Sequence, residues 1–302
     1  MSTLNNLPFL LRTNDVERHI LSIDSRFRDA PMTSGASDFY FTLPVQIRNV
    51  LRLRLTSVEL PSRYWFFSSK KSNVSFGIKR GAGVMKIVTI QDGNYTPSQL
   101  ATAVEAALTA AGVSGFLVSF NENNSSFTFS TAPPTARFTI DTTIGSINRP
   151  FDYGLGFYLG LSYGQHASVA GDANQILVSN KIATVAGDNY LLLLLNDYYC
   201  INHSFYGNTI KAFAKILLKN GPNSEEFDDY AGDHIKEIVL PGPQDLSRIH
   251  VQLVDTYGIP VDFGGTNFSF SLEIMEIKNL SLYKSIRDSL ASRWIGTGGF
   301  ST

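Results

Sequence analysis

Five histidines, one cysteine and a short acidic run are the residues of this chain best equipped for chemistry. His19, His166, His203, His234 and His250 include no pair spaced i, i+2 or i, i+4. No single strand or helix therefore presents the two imidazoles that a protein metal site usually begins from. There is no Cys–His signature of a nucleophilic enzyme. The lone Cys200 excludes an intrachain disulfide and a cysteine zinc site, and points to a reducing compartment. Gly81–Gly83 lies between two strand-like segments and lacks the Lys-Ser/Thr of a phosphate loop, so it reads as a turn. Glu225–Asp233 is acidic but has neither the spacing nor the terminal Glu of a calcium loop, and reads as solvated. Trp65 and the Tyr/Gly-rich stretch Tyr153–Gly164 offer sugar-stacking aromatics, although in all-β chains such rings mostly fill cores. The expectation is no catalytic residue, no metal or cofactor-binding residue, no cofactor, and no enzyme.

What these residues sit on is set by composition and patterning. At 302 residues with a 43% hydrophobic fraction, the chain has ample material for a core. Its charged fraction of 17% is low against a usual value of about 25%. Few charges with many Ser, Thr, Asn and aromatic residues suit a surface covered by neighbours; all-β chains also simply use less Lys and Glu. A net charge of −1 gives no basic excess for nucleic acid. The N-terminus lacks the charged-then-apolar order of a secretion signal. The longest apolar run, Tyr190–Leu195, is far shorter than the roughly 20 residues that span a bilayer. N-x-S/T triplets at Asn73, Asn94, Asn202, Asn267 and Asn279 then reflect composition more than glycosylation.

Two blocks of two-residue alternation, Arg18–Leu60 and Tyr190–Leu282, frame a middle that carries the one convincing long helix. The first block predicts strands at His19–Ser25, Phe39–Leu43 (stopped by Pro44) and Val50–Leu60. In the last, the apolar phase slips from Leu51, Leu53 and Leu55 to Val58 and Leu60, as a β-bulge requires. The second block predicts strands at Tyr190–Leu195, Ala212–Leu218, His234–Leu240, Leu246–Asp255 and Phe268–Ile277, separated by Pro-Gly and Tyr-Gly turns. In the middle, Thr96, Pro97 and Gln99 predict a capping box, with Leu100, Val104, Ala107 and Leu108 on one helical face and Gly112 ending it. Strands on either side give a β-β-α-β-β-β order.

The fold expected is mainly β, an eight-stranded jelly-roll sandwich with an inserted α/β subdomain; a tandem double jelly roll is the alternative. The chain divides into an N-terminal arm (1–17), a first set of sandwich strands (18–61), the insertion (62–148), a Gly/Tyr-rich connector read as loop with a strand at Gln175–Val178 (149–185), a second set of sandwich strands (186–284) and a polar C-terminal tail (285–302).

Ile23-Asp-Ser-Arg26, followed by a strand and by IRNVLRLRLTSVELPSRYW, resembles the opening of minor capsid proteins of large nucleocytoplasmic DNA viruses of the algal-virus and iridovirus type. DGNYTPSQLATAVEAAL resembles that family's "G-x-Y-T-x-x-x-L" helix start, and LGFYLG its "L-G-F" element. KAFAKILL and LSRIHVQLVDTYGIPVDFGGTNFSFSLEI resemble its end, so that five loose motifs fall in order over residues 20–278. The resemblance implies a virion protein, either a minor capsid or a fivefold-vertex (penton-like) protein. It would be made and assembled in host cytoplasm, and would contact major and minor capsid proteins and copies of itself. A carbohydrate-binding, lectin-like jelly roll is the alternative, with Tyr153–Tyr163 as its aromatics.

Overall fold

The computed structural model describes residues 13–61, 64–131, 136–145, 153–171, 174–205, 207–218, 226–228 and 236–296. The strands in chain order are β1 Val16–Asp24, β2 Asp38–Leu60, β3 Ser75–Arg80, β4 Lys86–Thr89, β5 Phe116–Asn121, β6 Ser126–Thr131, β7 Phe138–Asp141, β8 Gln165–Ala167 and β9 Val169–Ala170. They continue with β10 Gln175–Val178, β11 Tyr190–Leu195, β12 Ile201–Phe205, β13 Asn208–Ala212, β14 Ala214–Leu217, β15 Glu226–Asp228, β16 Glu237–Val254 and β17 Ser269–Ile277. Helices span Pro97–Ala110, Leu155–Tyr158 and Leu280–Gly296. The fold is mainly β, with the framing strands in one antiparallel body and the middle strands in another.

Apart from β12 and β13, which pair as a separate two-stranded sheet, the framing strands form a seven-stranded sheet in the order β1-β17-β2-β16-β11-β14, with β15 also on β2. Two strands in it, β2 and β16, are 23 and 18 residues long. Each contains two segments that the sequence pattern separates. The pattern expects Pro44 to end a strand and Pro241-Gly242 to divide two; both lie inside continuous strands instead. The physical reason is a bend. The β2–β16 register shifts three times between Val239 and Arg248, and Asn49 adopts φ +51 there. Where the ladder is already interrupted, a proline's missing N–H leaves no partner unsatisfied.

The bend folds the sheet over its own inner face. Phe39 at the start of β2 meets Phe268 with ring centroids 6.1 Å apart, and the adjacent Ser269 pairs with Glu59 at the other end of β2. Twenty residues of straight strand would hold those ends roughly 66 Å apart. Two layers result, enclosing one core that includes Ile23, Leu53, Leu193, Val251, Phe270 and Ile274. This two-layer antiparallel body with an α/β insertion agrees with the expected fold class.

The predicted phase slip is present. Leu55 pairs with Leu272 and Ser57 with Ser271, leaving Thr56 as the extra residue of a bulge. A second shift, between Arg52/Met275 and Val50/Glu276, carries Leu51 out of the main core to pack with Ile277 and Tyr283.

The middle strands follow the expected β-β-α-β-β-β order as β3, β4, the helix Pro97–Ala110, β5, β6 and β7. They form two four-stranded sheets, β5-β6-β10-β9 and β4-β3-β7-β8, around a separate core containing Phe76, Val104, Phe127, Phe129 and Ile140. Both halves of the capping box are made: Thr96 Oγ1 accepts from Gln99 N, and Gln99 Oε1 accepts from Thr96 N at 2.9 Å. Gly112, at φ +71, terminates the helix in the left-handed conformation. Thr96→Ala is expected to lower the stability of this unit by about 1 kcal/mol, read from the urea midpoint of a helix-sensitive signal.

Three sequence expectations need correction. Much of the segment expected as a connecting loop is built into the insertion: besides the anticipated β10, it supplies β8, β9 and the helical turn Leu155–Tyr158, and Leu155, Tyr158, Leu159 and Leu161 are core residues there. Its glycines hide the apolar period. Gly160, for example, sits at φ +80, where a Cβ would stand 2.4 Å from the Lys181 carbonyl oxygen. The C-terminal tail is instead a helix as far as Gly296, capped by Asn279, whose Oδ1 accepts from Leu282 N at 3.0 Å. Tyr283 anchors it on Leu51 and Ile277. The acidic run, expected as loop, contributes β15 at Glu226–Asp228; the remainder of Glu225–Asp233 lies outside the described residues. The expected N-terminal arm lies outside them up to residue 12, and Thr13–Asp15 form a 3-10 turn leading into β1.

Candidate functional site

The four described histidines do not converge. His19 pairs with Glu276 at 3.0 Å, His166 bonds the Ser162 carbonyl at 2.8 Å, and His203 bonds the Thr256 carbonyl at 3.0 Å. His250 pairs with Asp38 at 2.7 Å and stacks on Tyr40. His234 lies outside the described residues. Among the described residues one trio, Glu17, His19 and Glu276, brings potential ligand atoms within 4.8 Å of one another. It arises because Glu17 and Glu276 are register partners on β1 and β17. Like charges directly opposite repel; here His19 hydrogen-bonds Glu276, and Lys278 pairs with Glu17 at 2.9 Å. The lysine also holds the Glu17 carboxyl below its ordinary pKa.

The distinctive motif residues serve architecture. Asp24 accepts from Arg26 N at 2.8 Å and pairs with its guanidinium. Ser25 accepts from Phe268 N at 3.0 Å and donates to Asn267 at 3.1 Å. Arg28 donates to the carbonyls of Ser25, Pro31 and Ser34 and to Asn267. Together they clasp the end of β1 to the start of β17. A surface cavity of about 600 Å³ opens beside this clasp, bordered by Arg26, Asp38, Lys70, Asp262 and Phe263. Its lysine is already paired, with Lys70 Nζ 3.1 Å from Asp262. Asp255, the acid of the D-x-x-G element, accepts from Tyr257 N and Ile259 N and holds the turn in which Gly258 takes φ +78.

Four of the named N-x-S/T asparagines are used likewise, while Asn202 is exposed on β12. Asn73 is buried and bonds Ser68 N and the Phe66 carbonyl. Asn94 bonds Phe66 N and the Tyr64 carbonyl. Asn267 belongs to the clasp and Asn279 caps a helix.

Three strongly buried charges meet between the two cores. Lys71 Nζ lies 3.2 Å from Asp188 and 3.1 Å from Asp255, with all three side chains at most 5% exposed. Burial opposes the Lys71 charge, but the two carboxylates outweigh it and hold its pKa above the ordinary lysine value. Burial also lifts the Asp188 carboxyl above its usual range, against the pull of Lys71. The Tyr153 hydroxyl donates to the Lys71 carbonyl at 2.7 Å, and its ring meets Tyr257 edge-on at 4.9 Å. Burial, reinforced by Tyr153 and Asp188, pushes the neighbouring Tyr158 phenol well above its normal pKa.

The exposed feature best suited to a partner is the outer face of the β5-β6-β10-β9 sheet. Leu117, Ser130, Ile176 and Val169 form one row across its four strands, and Ser119, Thr128 and Val178 form the next. The intervening row, Val118, Phe129 and Leu177, points into the core. Leu117 is 61% exposed, Val169 60% and Val178 48%. Neither outer row carries a charge.

A scan against protein-family models matches none, and no curated protein matches. Solved structures do match. The chain is similar to one in the 3.5 Å cryo-EM structure of the Sputnik virophage, at 12% identity and a TM-score of 0.39, over 88% of this chain and 99% of that one. It is also similar to the penton protein of mavirus, at 10% identity and a TM-score of 0.36, over 87% and 99%.

The aromatics proposed for sugar stacking divide by burial. Tyr153 and Tyr158 are interior, while Tyr163 and Trp65 are about two-fifths exposed. No helix among the described residues is long and apolar enough to cross a membrane. The sequence reading missed both the uncharged outer rows and the Lys71 cluster. The rows were legible as Leu117/Ser119 and Ile176/Val178 alternating with core residues. The cluster left no local signal.

Proposed function

We propose that this protein is a structural component of the capsid of a large icosahedral DNA virus, as a minor capsid or fivefold-vertex protein acting through protein–protein contacts. Its partners are major and minor capsid proteins and copies of itself, and its place is the virion, assembled in host cytoplasm. The observation that carries the reading is the ordered set of five sequence elements over residues 20–278, whose polar and charged residues are spent on clasps, caps and turns. A chain whose distinctive residues shape the scaffold and whose display surface is uncharged is suited to adhesion. The division proposed is a sandwich (18–61 and 186–284) carrying an insertion (62–148) that also takes in the strands β8, β9 and β10 of the 149–185 segment.

The uncharged outer rows of the insertion are the proposed contact surface, with neighbouring capsid subunits as occupants. Four strands about 4.8 Å apart and a few residues long give a footprint of roughly 300 Å² per side. That is well below the roughly 1,200 Å² total of a stable pairwise complex, so the face works with other contacts in a multivalent assembly. Negative-stain imaging of the purified chain, alone and mixed with candidate capsid subunits, tests the reading. Rings or co-assembled particles are expected. Leu117→Glu with Val178→Glu is expected to reduce co-assembly at least tenfold while leaving the circular dichroism spectrum unchanged. A chain that stays monomeric with every capsid subunit, or that is retained on a glycan array through Tyr163, would overturn it.

A further inference from the structure

The insertion and the sandwich have separate cores, and among the described residues no strand of one pairs with a strand of the other. Among the described residues the contacts that join them come from loops and are mainly polar, beside the edge-on Tyr153–Tyr257 contact. Ser68 donates to Asp262 at 2.6 Å, Lys70 pairs with the same carboxylate at 3.1 Å, and Trp65 N donates to the Asp262 carbonyl at 2.8 Å. At the centre is Lys71. It lies on the outgoing crossing between β2 and β3, Asp188 on the return crossing between β10 and β11, and Asp255 on the sandwich just after β16. One ammonium therefore holds both crossings to the sandwich.

The choice of residue types matters. A buried ion cluster is a poor source of net stability, because desolvation offsets most of its Coulombic gain. It is directional, however: an ammonium 3.1–3.2 Å from two carboxylates tolerates little sliding, whereas an apolar contact would accept it. The Lys71 ammonium also lies 5.2 Å from the Phe66 ring centroid, and its carbonyl accepts the Tyr153 hydroxyl, so its position is fixed from the insertion side. We propose that Lys71 is the lock of a hinge: it sets the pose of the insertion on the sandwich, and without it the insertion swings as an intact body.

The test uses the full chain with Cys200→Ser and spin labels at Ser22→Cys on the sandwich and Ser119→Cys on the insertion. Pulsed dipolar distances are measured together with amide exchange at Ile78 and Phe129 in one core and Leu193 and Phe270 in the other. The parent is expected to give one narrow distance distribution. Lys71→Met leaves two unpaired carboxylates, so the charge-balanced triple variant Lys71→Met, Asp188→Asn, Asp255→Asn is measured alongside it; the side-chain amide oxygen that Asp255→Asn retains can still accept the turn's N–H groups. In the triple variant the distribution is expected to broaden at least twofold, with exchange in both cores within twofold of the parent. A distribution as narrow as the parent's would overturn the proposal. So would joint loss of protection in both cores of the triple variant, because Lys71 would then be part of one cooperative body.

Discussion

Phe270→Ala is expected to destabilise the sandwich by about 3–5 kcal/mol, the range for a buried phenylalanine truncated in a close-packed core. Phe270 is fully buried, pairs with Ile23 on β1 and Val58 on β2, and stacks on Phe268 at 6.0 Å. Ile23 and Val58 are held on either side of it by the β1-β17-β2 ladder, so they cannot collapse freely into the space. Native-state amide exchange is the appropriate measurement, because it assigns the loss to residues. Protection should fall at Leu193, Val251 and Leu272 and hold at Ile78 and Val118. Equal loss at both sets would show that the two cores unfold as one.

The converse substitution, Phe129→Ala, is expected to cost a similar 3–5 kcal/mol or so, confined to the insertion. Phe129 is fully buried, sits between Val118 and Leu177 in the inner row of its sheet, and meets Phe76 edge-on at 6.4 Å. Exchange should accelerate at Val118, Ile140 and the helix Pro97–Ala110 while the sandwich amides are unchanged. The contact face on the other side of the same strand would be lost with it. Co-assembly should therefore fall in Phe129→Ala as it does in the Leu117/Val178 double variant, but with an altered circular dichroism spectrum.

Much of this fold is legible in the sequence, because its determinants are local. The period of two marks the inner faces of β1, β2, β16 and β17, and a single slip at Thr56 marks a bulge that the register displays. Thr96, Pro97 and Gln99 mark a helix start within four residues. The failures share a cause too. Pro44 and Pro241 are stop signals for an isolated strand, but within a folded-over sheet they occupy the bend, where the ladder is interrupted anyway. In the helix after Asn279 the residues that pack, Leu280, Tyr283 and Ile286, are interleaved with Ser281, Lys284, Ser285, Arg287 and Asp288, so no clean stripe stands out from a polar tail. The segment after residue 149 is dense in glycine, which obscures any period.

The site was harder to read than the fold. Lys71 and Asp188 are 117 positions apart, and Asp255 is further still. Nothing in the surroundings of any one of them announces a buried charge, since a Lys-Lys pair and an Asp beside Gly both look like solvated loop. Only the closure of the insertion onto the sandwich brings them together. The histidines show the opposite case: their lack of common spacing predicted scattering, and the described ones do lie on β1, β8, β12 and β16 with unrelated partners.

The long central strand also bears on biogenesis. β2 ends at Leu60, yet its neighbours β16 and β17 begin at Glu237 and Ser269. At ribosomal rates of about 5–20 residues per second, the nascent strand waits on the order of 10–40 s for its mates. The insertion emerges in that interval and closes its sheets with partners already made. An apolar ribbon with bare edges is an invitation to aggregate. Arg48, Arg52 and Arg54, interleaved with the leucines of β2, place repelling charge on it during that delay and act as gatekeepers. Once β16 and β17 arrive, Arg52 becomes buried and bonded to Glu273, so one residue guards the unfinished chain and then fastens the finished one.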